Sequence, residues 1–304
     1  MKIVVLGGTG FIGGAIVDSL ISKGHEVKIG TRNTDFHNFQ TNERINVEHV
    51  EYNSAELIEN FIDGYDFVIN CIANIHGKDM SIDNFRKVEV DLTRTIAQVC
   101  LNKNIPIIQL SSIIAFGRKL PDRPVDENFV GSDFEMIDKI CLEREATIKE
   151  VFQDSNEFLI LRPVPVIGSK DKGGTLRKIF DQYSNEKFPI VEGGLSYVTF
   201  IDKRDFGNAV ELAINTFETI KGEILIVGGF SVNWIQIKQA FDSYYGIEKK
   251  YLSLIKDEVE LKFGLPIANF LNKPRLFDDT KFRERTGFLP CYTLNDAIES
   301  YLSI

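Results

Sequence analysis

Residues 2–13 read KIVVLGGTGFIG. An apolar strand, Ile3 to Leu6, runs directly into Gly7, Gly10 and Gly13 at three-residue spacing, and Phe11 and Ile12 open an amphipathic helix. Each glycine has its own reason. Gly7 turns the chain sharply off the strand, Gly10 lets the backbone approach a pyrophosphate with no Cβ in the way, and Gly13 lets the helix close on the sheet. The start of the helix then presents free N–H groups and a partial positive charge to phosphates. A glycine triplet alone would say little in a chain with 23 glycines among 304 residues. The strand before it and the helix after it supply the context of a dinucleotide-binding turn, which Thr9, Phe11 and Ile12 complete.

Outward from this turn, strand-like and helix-period segments alternate. The spacing predicts a helix over 14–23 ended by Gly24, strands at His25 to Thr31 and, more weakly, Val47 to Tyr52, and a buried strand from Asp66 to Ile72. A long helix over 83–102, a strand from Pro106 to Ser111, a helix over 134–153 and a strand from Phe158 to Leu161 follow, before Pro163 and Pro165 interrupt the series. Such alternation predicts an α/β fold, a doubly wound parallel sheet of Rossmann type, over residues 1–162. Beyond 163 the pattern loosens into a helix within 168–185, a strand at Tyr197 to Asp202, a helix over 204–217 and a strand at Glu223 to Val227. Residues 163–304 are expected to form mainly a smaller α/β substrate-binding part, with 198–228 returning to the first sheet so that the two parts interleave.

Composition narrows the partners. With 43% hydrophobic and 26% charged residues the chain can bury a large core. A net charge of −9 argues against nucleic acid, whose affinity comes chiefly from lysine and arginine on phosphates. A strand beginning at residue 2 leaves no room for a signal peptide, and no stretch is apolar enough to span a bilayer, so a cytoplasmic location without membrane contact is expected. Cys71, Cys100, Cys141 and Cys291 form no C-x-x-C pair and are expected to be buried free thiols; with His25, His37, His49 and His76 also lacking ligand spacing, no metal site is expected.

Several separated motifs then coincide. GGTGFIG, DFVINCIA at 66–73, LSSIIAFG at 110–117, Lys139 with Glu143 four residues on, LRPVPVIG at 161–168, TFIDKRDFGNAV at 199–210 and FDDTKFRERTGFLP at 277–290 resemble the extended short-chain dehydrogenase/reductases, the epimerase/dehydratase-like enzymes among them. GGLSYVTFIDKRD is most similar to their dihydroflavonol reductase-like branch. The resemblance runs the length of the chain and implies an oxidoreductase, epimerase or dehydratase that uses a nicotinamide cofactor on a nucleotide sugar or related small molecule, with a possible homodimer through the helices near 83–102 and 134–153. It also places Ala73 beside the cofactor, whereas Asn70 reads as a strand-end hydrogen-bonding residue.

Cofactor choice is read from charge after the second strand. A carboxylate about 20 residues past the glycines would bind a ribose 2′-OH, whereas an arginine pairs with a 2′-phosphate. The chain has Thr31-Arg32-Asn33, with Asp35 too late to serve, so Arg32 favours NADP over NAD.

In the family's reaction a serine holds the substrate oxygen, a tyrosine moves the proton, and a lysine four residues later lowers that tyrosine's pKa and binds the ribose. Ser112 and Lys139 fall at the serine and lysine positions, but Glu135 stands where the tyrosine should be. A carboxylate beside a lysine favours its ionised form, accepting a proton readily and donating one poorly. Glu135 and Lys139 also have the order of a helical i,i+4 ion pair, worth roughly 0.2–0.5 kcal/mol. No tyrosine lies between Tyr65 and Tyr183, so any replacement acid comes from elsewhere, such as Tyr197. Glu89 replaces the family's usual helix asparagine and Phe116 its usual loop tyrosine. His76 and Lys78, in the loop after the fourth strand, and Arg275, in KPRLF, are further candidate ligand contacts. A non-catalytic NADP sensor is therefore the alternative to an enzyme.

Overall fold

The computed structural model describes residues 1–32, 42–73, 81–172, 174–263 and 265–303. β1 (Lys2–Leu6), α1 (Phe11–Ser22), β2 (Glu26–Thr31), β3 (Ile45–His49), α2 (Ala55–Ile62), β4 (Phe67–Asn70), α3 (Ile82–Arg86), α4 (Leu92–Lys103), β5 (Ile107–Leu110), α5 (Met136–Val151) and β6 (Phe158–Pro163) make up the first half. They are followed by β7 (Val166–Ile167), α6 (Thr175–Ser184), β8 (Pro189–Val191), β9 (Tyr197–Asp202), α7 (Lys203–Asn215), α8 (Phe217–Ile220), β10 (Ile224–Val227) and β11 (Phe230–Asn233). The chain ends with α9 (Trp234–Tyr245), β12 (Leu252–Leu254), α10 (Lys256–Phe263), α11 (Leu265–Asn272), α12 (Thr280–Thr286) and α13 (Leu294–Leu302).

Seven parallel strands form the main sheet in the order β10-β6-β5-β4-β1-β2-β3. The apolar runs IVVL, FVIN and IIQL are buried on both faces, as parallel strands covered by helices must be. Period-two alternation sorts their side chains. Ile3 and Val5 join Val17, Leu20, Phe206 and Val210 on one face, while Val4 and Leu6 join Ile58, Ile96, Ile148 and Phe158 on the other. A separate apolar cluster around Tyr183, Phe200, Trp234 and Phe241 forms the core of a second lobe. Strand order reverses between β1 and β4, which opens a crevice at their carboxyl ends, the place where such sheets bind ligands.

The segment 198–228 divides. β10 lies beside β6 in the main sheet, but β9 pairs with β7 and β11 in a three-stranded sheet of its own, because β10 already occupies the edge beside β6. Between them α7 packs on α1, so closely that a Cβ on Gly207 would lie 2.4 Å from the Ala15 carbonyl oxygen. The helix expected over 83–102 contains a π turn at Lys87–Asp91 between α3 and α4. Not all four thiols are buried: Cys291 is exposed and Cys71 partly so. Cys291 lies in the loop before α13, where Asp205 accepts its N–H. No helix among the described residues is long and apolar enough to cross a membrane.

Candidate active site

The chain leaves β1 through Gly7, whose φ of +79° would strain any other residue and whose missing Cβ would sit 3.0 Å from the Cys71 carbonyl. Gly10 N–H donates to Gly7 O at 3.0 Å and closes the turn. At Gly13 a Cβ would fall 2.3 Å from Gly7 O, so only glycine allows α1 to begin this near the strand. Gly10 caps α1, and no side chain accepts the first-turn amides. Those amides remain available to an anion at the positive end of a twelve-residue helix. Lys203, which the sequence reading missed, starts α7 with its Nζ 6.0 Å from the Phe11 ring centre, and burial lowers its pKa. Thr9 is exposed, and Phe11 and Ile12 are half-buried at the mouth.

Around this cradle, Asn70 is a strand-end hydrogen-bonding residue: its Nδ2 donates to Gln109 at 2.8 Å and its Oδ1 accepts from Ile72 N–H at 3.1 Å. Ala73 is exposed just beyond β4. Arg32 is exposed at the end of β2, near enough to Tyr52 for its charge to oppose the upward pKa shift that burial imposes on that phenol. The cradle, the strand ends and this arginine fit an adenine dinucleotide. Asn33, Asp35, His76 and Lys78 lie outside the described residues.

The second half of the site follows β5. Ser112 starts a 3₁₀ turn over Ile113–Phe116 and accepts the Ile114 N–H at 3.3 Å. The chain from Gly117 is then strapped to the segment that leads into α5: Arg118 N–H donates to both Ser132 O and Asp133 O, at 3.2 and 3.1 Å. Glu135 does not lie within α5 but caps it, in a capping box with Asp138. Its backbone is therefore extended (φ −75°, ψ 170°) rather than helical, and the i,i+4 pair with Lys139 is not made. Glu135 pairs instead with Arg118 at 3.1 Å, whose Nε also donates to the fully buried Asp138 at 2.9 Å. Lys139 is exposed, with no carboxylate partner among the described residues.

Beneath this surface lies a buried polar network. Ser111 donates to Glu145 at 2.5 Å, and Glu145 receives Arg162 through two bonds of 2.8 and 2.6 Å. Arg162 stacks over Phe116 at 4.5 Å, and Phe116 packs on Phe277, so Phe116 is a core residue rather than a substitute for a hydroxyl. Glu89, on the π turn, pairs with Arg144, whose guanidinium also reaches Cys141. Tyr197 is exposed at the start of β9. Sequence reading missed Arg118, Asp138, Glu145 and Arg162. Only Asp138 carried a local signal, the acidic residue three positions after a cap.

A glycine turn at the switch point of a parallel sheet, with a serine turn and a capped helix at the adjacent strand, defines the class of Rossmann-type dinucleotide-binding proteins with a second lobe. The model of the NAD dependent epimerase/dehydratase family matches residues 3–228, and the chain belongs to that family. No curated protein sequence matches the chain significantly. Among solved structures it is similar to the UDP-glucuronic acid 4-epimerase of Bacillus cereus in complex with NAD (TM-score 0.82, 18% identity, covering 99% of this chain and 97% of that one). It is similar too to the UDP-N-acetylglucosamine 4-epimerase of the same organism (TM-score 0.79, 19% identity, 98% and 97% covered). A third is the Thermotoga maritima UDP-glucose 4-epimerase with UDP-glucose (TM-score 0.81, 18% identity, 100% and 98% covered). These are extended short-chain dehydrogenase/reductase folds.

Proposed function

We propose that this chain binds a nicotinamide dinucleotide in the glycine cradle and acts as an epimerase, dehydratase or oxidoreductase on a nucleotide sugar or a similar small carbonyl or hydroxyl compound. The cradle carries this reading: three glycines and a helix start whose cap, Gly10, offers no side-chain acceptor, at the switch point of a parallel sheet, have the geometry of a pyrophosphate site. Gly7, Thr9, Gly10, Phe11, Ile12, Gly13 and Ala73 would line it. The NAD bound to the similar UDP-glucuronic acid 4-epimerase of Bacillus cereus and the family's own description support NAD. Arg32 at the end of β2 favours NADP, as a second reading.

A bound nicotinamide supplies or accepts a hydride at its C4. Ser112 would hold the substrate oxygen: its hydroxyl oxygen accepts from Ile114 N–H, which leaves its own proton to donate. Lys139, exposed and without a carboxylate partner among the described residues, would reach the ribose. Glu135, held by Arg118, would take a proton from the substrate hydroxyl, which suits oxidation or epimerisation better than one-way reduction. Its engagement as helix cap and ion-pair partner is what favours the rival reading, a dinucleotide sensor without turnover.

A thermal-shift comparison of NAD and NADP tests the first claim, since a ligand at 100 times its Kd stabilises by about 2.7 kcal/mol. Chromatographic analysis of a UDP-sugar panel then tests turnover, which Ser112→Ala should abolish while the dinucleotide shift persists. No shift with either dinucleotide would overturn the reading, and a shift without turnover would favour the sensor.

A further inference from the structure

Six lysines among the described residues are buried or half-buried, and five of them have an acceptor. Lys28 meets Glu48 at 2.9 Å, Lys103 meets Glu59 and Asp63 at 2.9 and 3.1 Å, and Lys221 meets Glu157 and Glu218 at 2.7 and 2.8 Å. Lys238 meets Asp242 at 2.5 Å, and Lys249 donates to Ser184 O at 3.2 Å. Lys203 is the sixth. No acceptor among the described residues lies within hydrogen-bond reach of its ammonium, which stands instead over the Phe11 ring, 6.0 Å from the ring centre.

Its place follows from how α7 lies on α1. Gly207 packs on the Ala15 carbonyl, Ser19 donates to Asn208 at 2.9 Å and His25 lies 3.5 Å from Glu211, so the two helices run parallel and start side by side. Lys203 is the first residue of α7 and Phe11 the first of α1. The lysine stem runs along Gly168, where an added Cβ would lie 3.1 Å from Lys203 Cγ and 3.5 Å from its Cδ, and Nζ comes to the ring at the head of α1. The two helix starts differ in charge. α7 has a carboxylate of its own, Asp202, which accepts the Arg204 N–H at 2.8 Å and holds the Arg204 guanidinium with both oxygens at 2.9 Å. α1 has Gly10 as its cap and no acidic residue in its first turn. Asp18, whose charge also acts on the lysine, sits two turns further along α1. The positive end of one helix and a lysine without an acceptor thus stand together at the mouth of the cradle.

We propose that Lys203 supplies the counter-charge for the pyrophosphate of the dinucleotide, closing the glycine cradle from the side of α7. This rests on the reading of the cradle as a dinucleotide site and adds to it the full cation that a turn of glycines lacks. Amides at the head of a helix offer direction and a partial charge. A lysine on a flexible stem adds a point charge that can meet either phosphate, and half-burial strengthens the attraction over that of a solvated lysine.

Calorimetric titration of the full-length protein with NAD, NADP and ADP-ribose tests this, in wild type and in Lys203→Met, Lys203→Gln and Lys203→Arg. Lys203→Met keeps a stem against Gly168 and should weaken every one of these ligands that wild type binds by a common factor of about 10 to 100. Lys203→Gln should do the same, and Lys203→Arg should restore most of the affinity. The gap between wild type and Lys203→Met should narrow as ionic strength rises, because a half-exposed ion pair is screened. Without ligand, Lys203→Met should melt no lower than wild type, since no group in the protein loses a bond. Unchanged affinity in Lys203→Met, or in Lys203→Gln should the methionine variant not fold, overturns the proposal. So does a loss confined to NADP, which would place the lysine at the 2′-phosphate, or one that spares ADP-ribose, which would place it at the nicotinamide end. Wild type that binds none of the three would instead remove the dinucleotide reading, and this proposal with it.

Discussion

Adjacent glycines of α1 should respond to alanine in opposite directions. Inside a helix alanine is favoured over glycine by about 1 kcal/mol. At Gly14 the nearest atom to an added Cβ is Gly8 O at 3.7 Å, an ordinary contact, so Gly14→Ala should stabilise the protein by roughly 0.5–1 kcal/mol. At Gly13 the same Cβ would lie 2.3 Å from Gly7 O, 2.8 Å from Gly8 Cα and 2.9 Å from Gly7 C, all of them backbone. Relief to an ordinary separation of about 3.5 Å requires the turn to move by roughly an ångström. Overpacking of this kind costs about 1–3 kcal/mol, which outweighs the helix gain, and what moves is the cradle itself. Gly13→Ala should therefore lose up to about 2 kcal/mol in urea denaturation, and lose the dinucleotide-induced thermal shift. The reasoning fails if Gly13→Ala proves as stable as Gly14→Ala or keeps the full shift.

Glu145→Gln leaves Arg162 charged and poorly paired in the core and should destabilise by about 3–5 kcal/mol, whereas Glu145→Leu with Arg162→Met should recover most of that loss in chemical denaturation. A double variant as unstable as Glu145→Gln would show that packing, not charge, is at stake. Asp296, in the capping box of α13, has its pKa lowered by the Thr293 hydroxyl and then the Thr293 N–H. A depressed carboxylate contributes stability above its unfolded pKa of about 3.9 and loses it as pH falls through the lower folded value. Asp296→Asn should accordingly be less stable than wild type at neutral pH, with the gap closing in acid; a gap constant from pH 7 to 2 would contradict this.

The sheet was legible in the sequence because its signals are local. A buried parallel strand must be a continuous apolar run, and a glycine at a positive φ or against a backbone carbonyl tolerates no replacement, so β1, the turn and α1 could be read directly. The edge beside β6 was harder: β9 and β10 are similar apolar runs, and only competition for one edge decides which of them joins the main sheet. In the candidate site, Ser112 and Lys139 were visible as motif positions, but the partner of Glu135 was not. Four-residue spacing suggested Lys139, and the choice of Arg118 depends on Glu135 lying one residue outside the helix and on a strap between Gly117 and Ser132. The Ser111–Glu145–Arg162 network joins three elements distant in sequence, and no single window displays it.

The chain passes between its two lobes repeatedly. It leaves the main sheet after β6, returns through α7 and β10, departs again at β11, and comes back once more when Phe277, Phe282 and Phe288 pack into the first core before α13 joins the second. A fragment cut at 162 would strip β6 of its neighbour and uncover α1, exposing a long apolar edge of the kind that drives aggregation. Such a joint, made of many strands of covalent chain, resists the swing that a lone linker permits. Any adjustment of the cleft around a bound molecule must spread over several crossings at once.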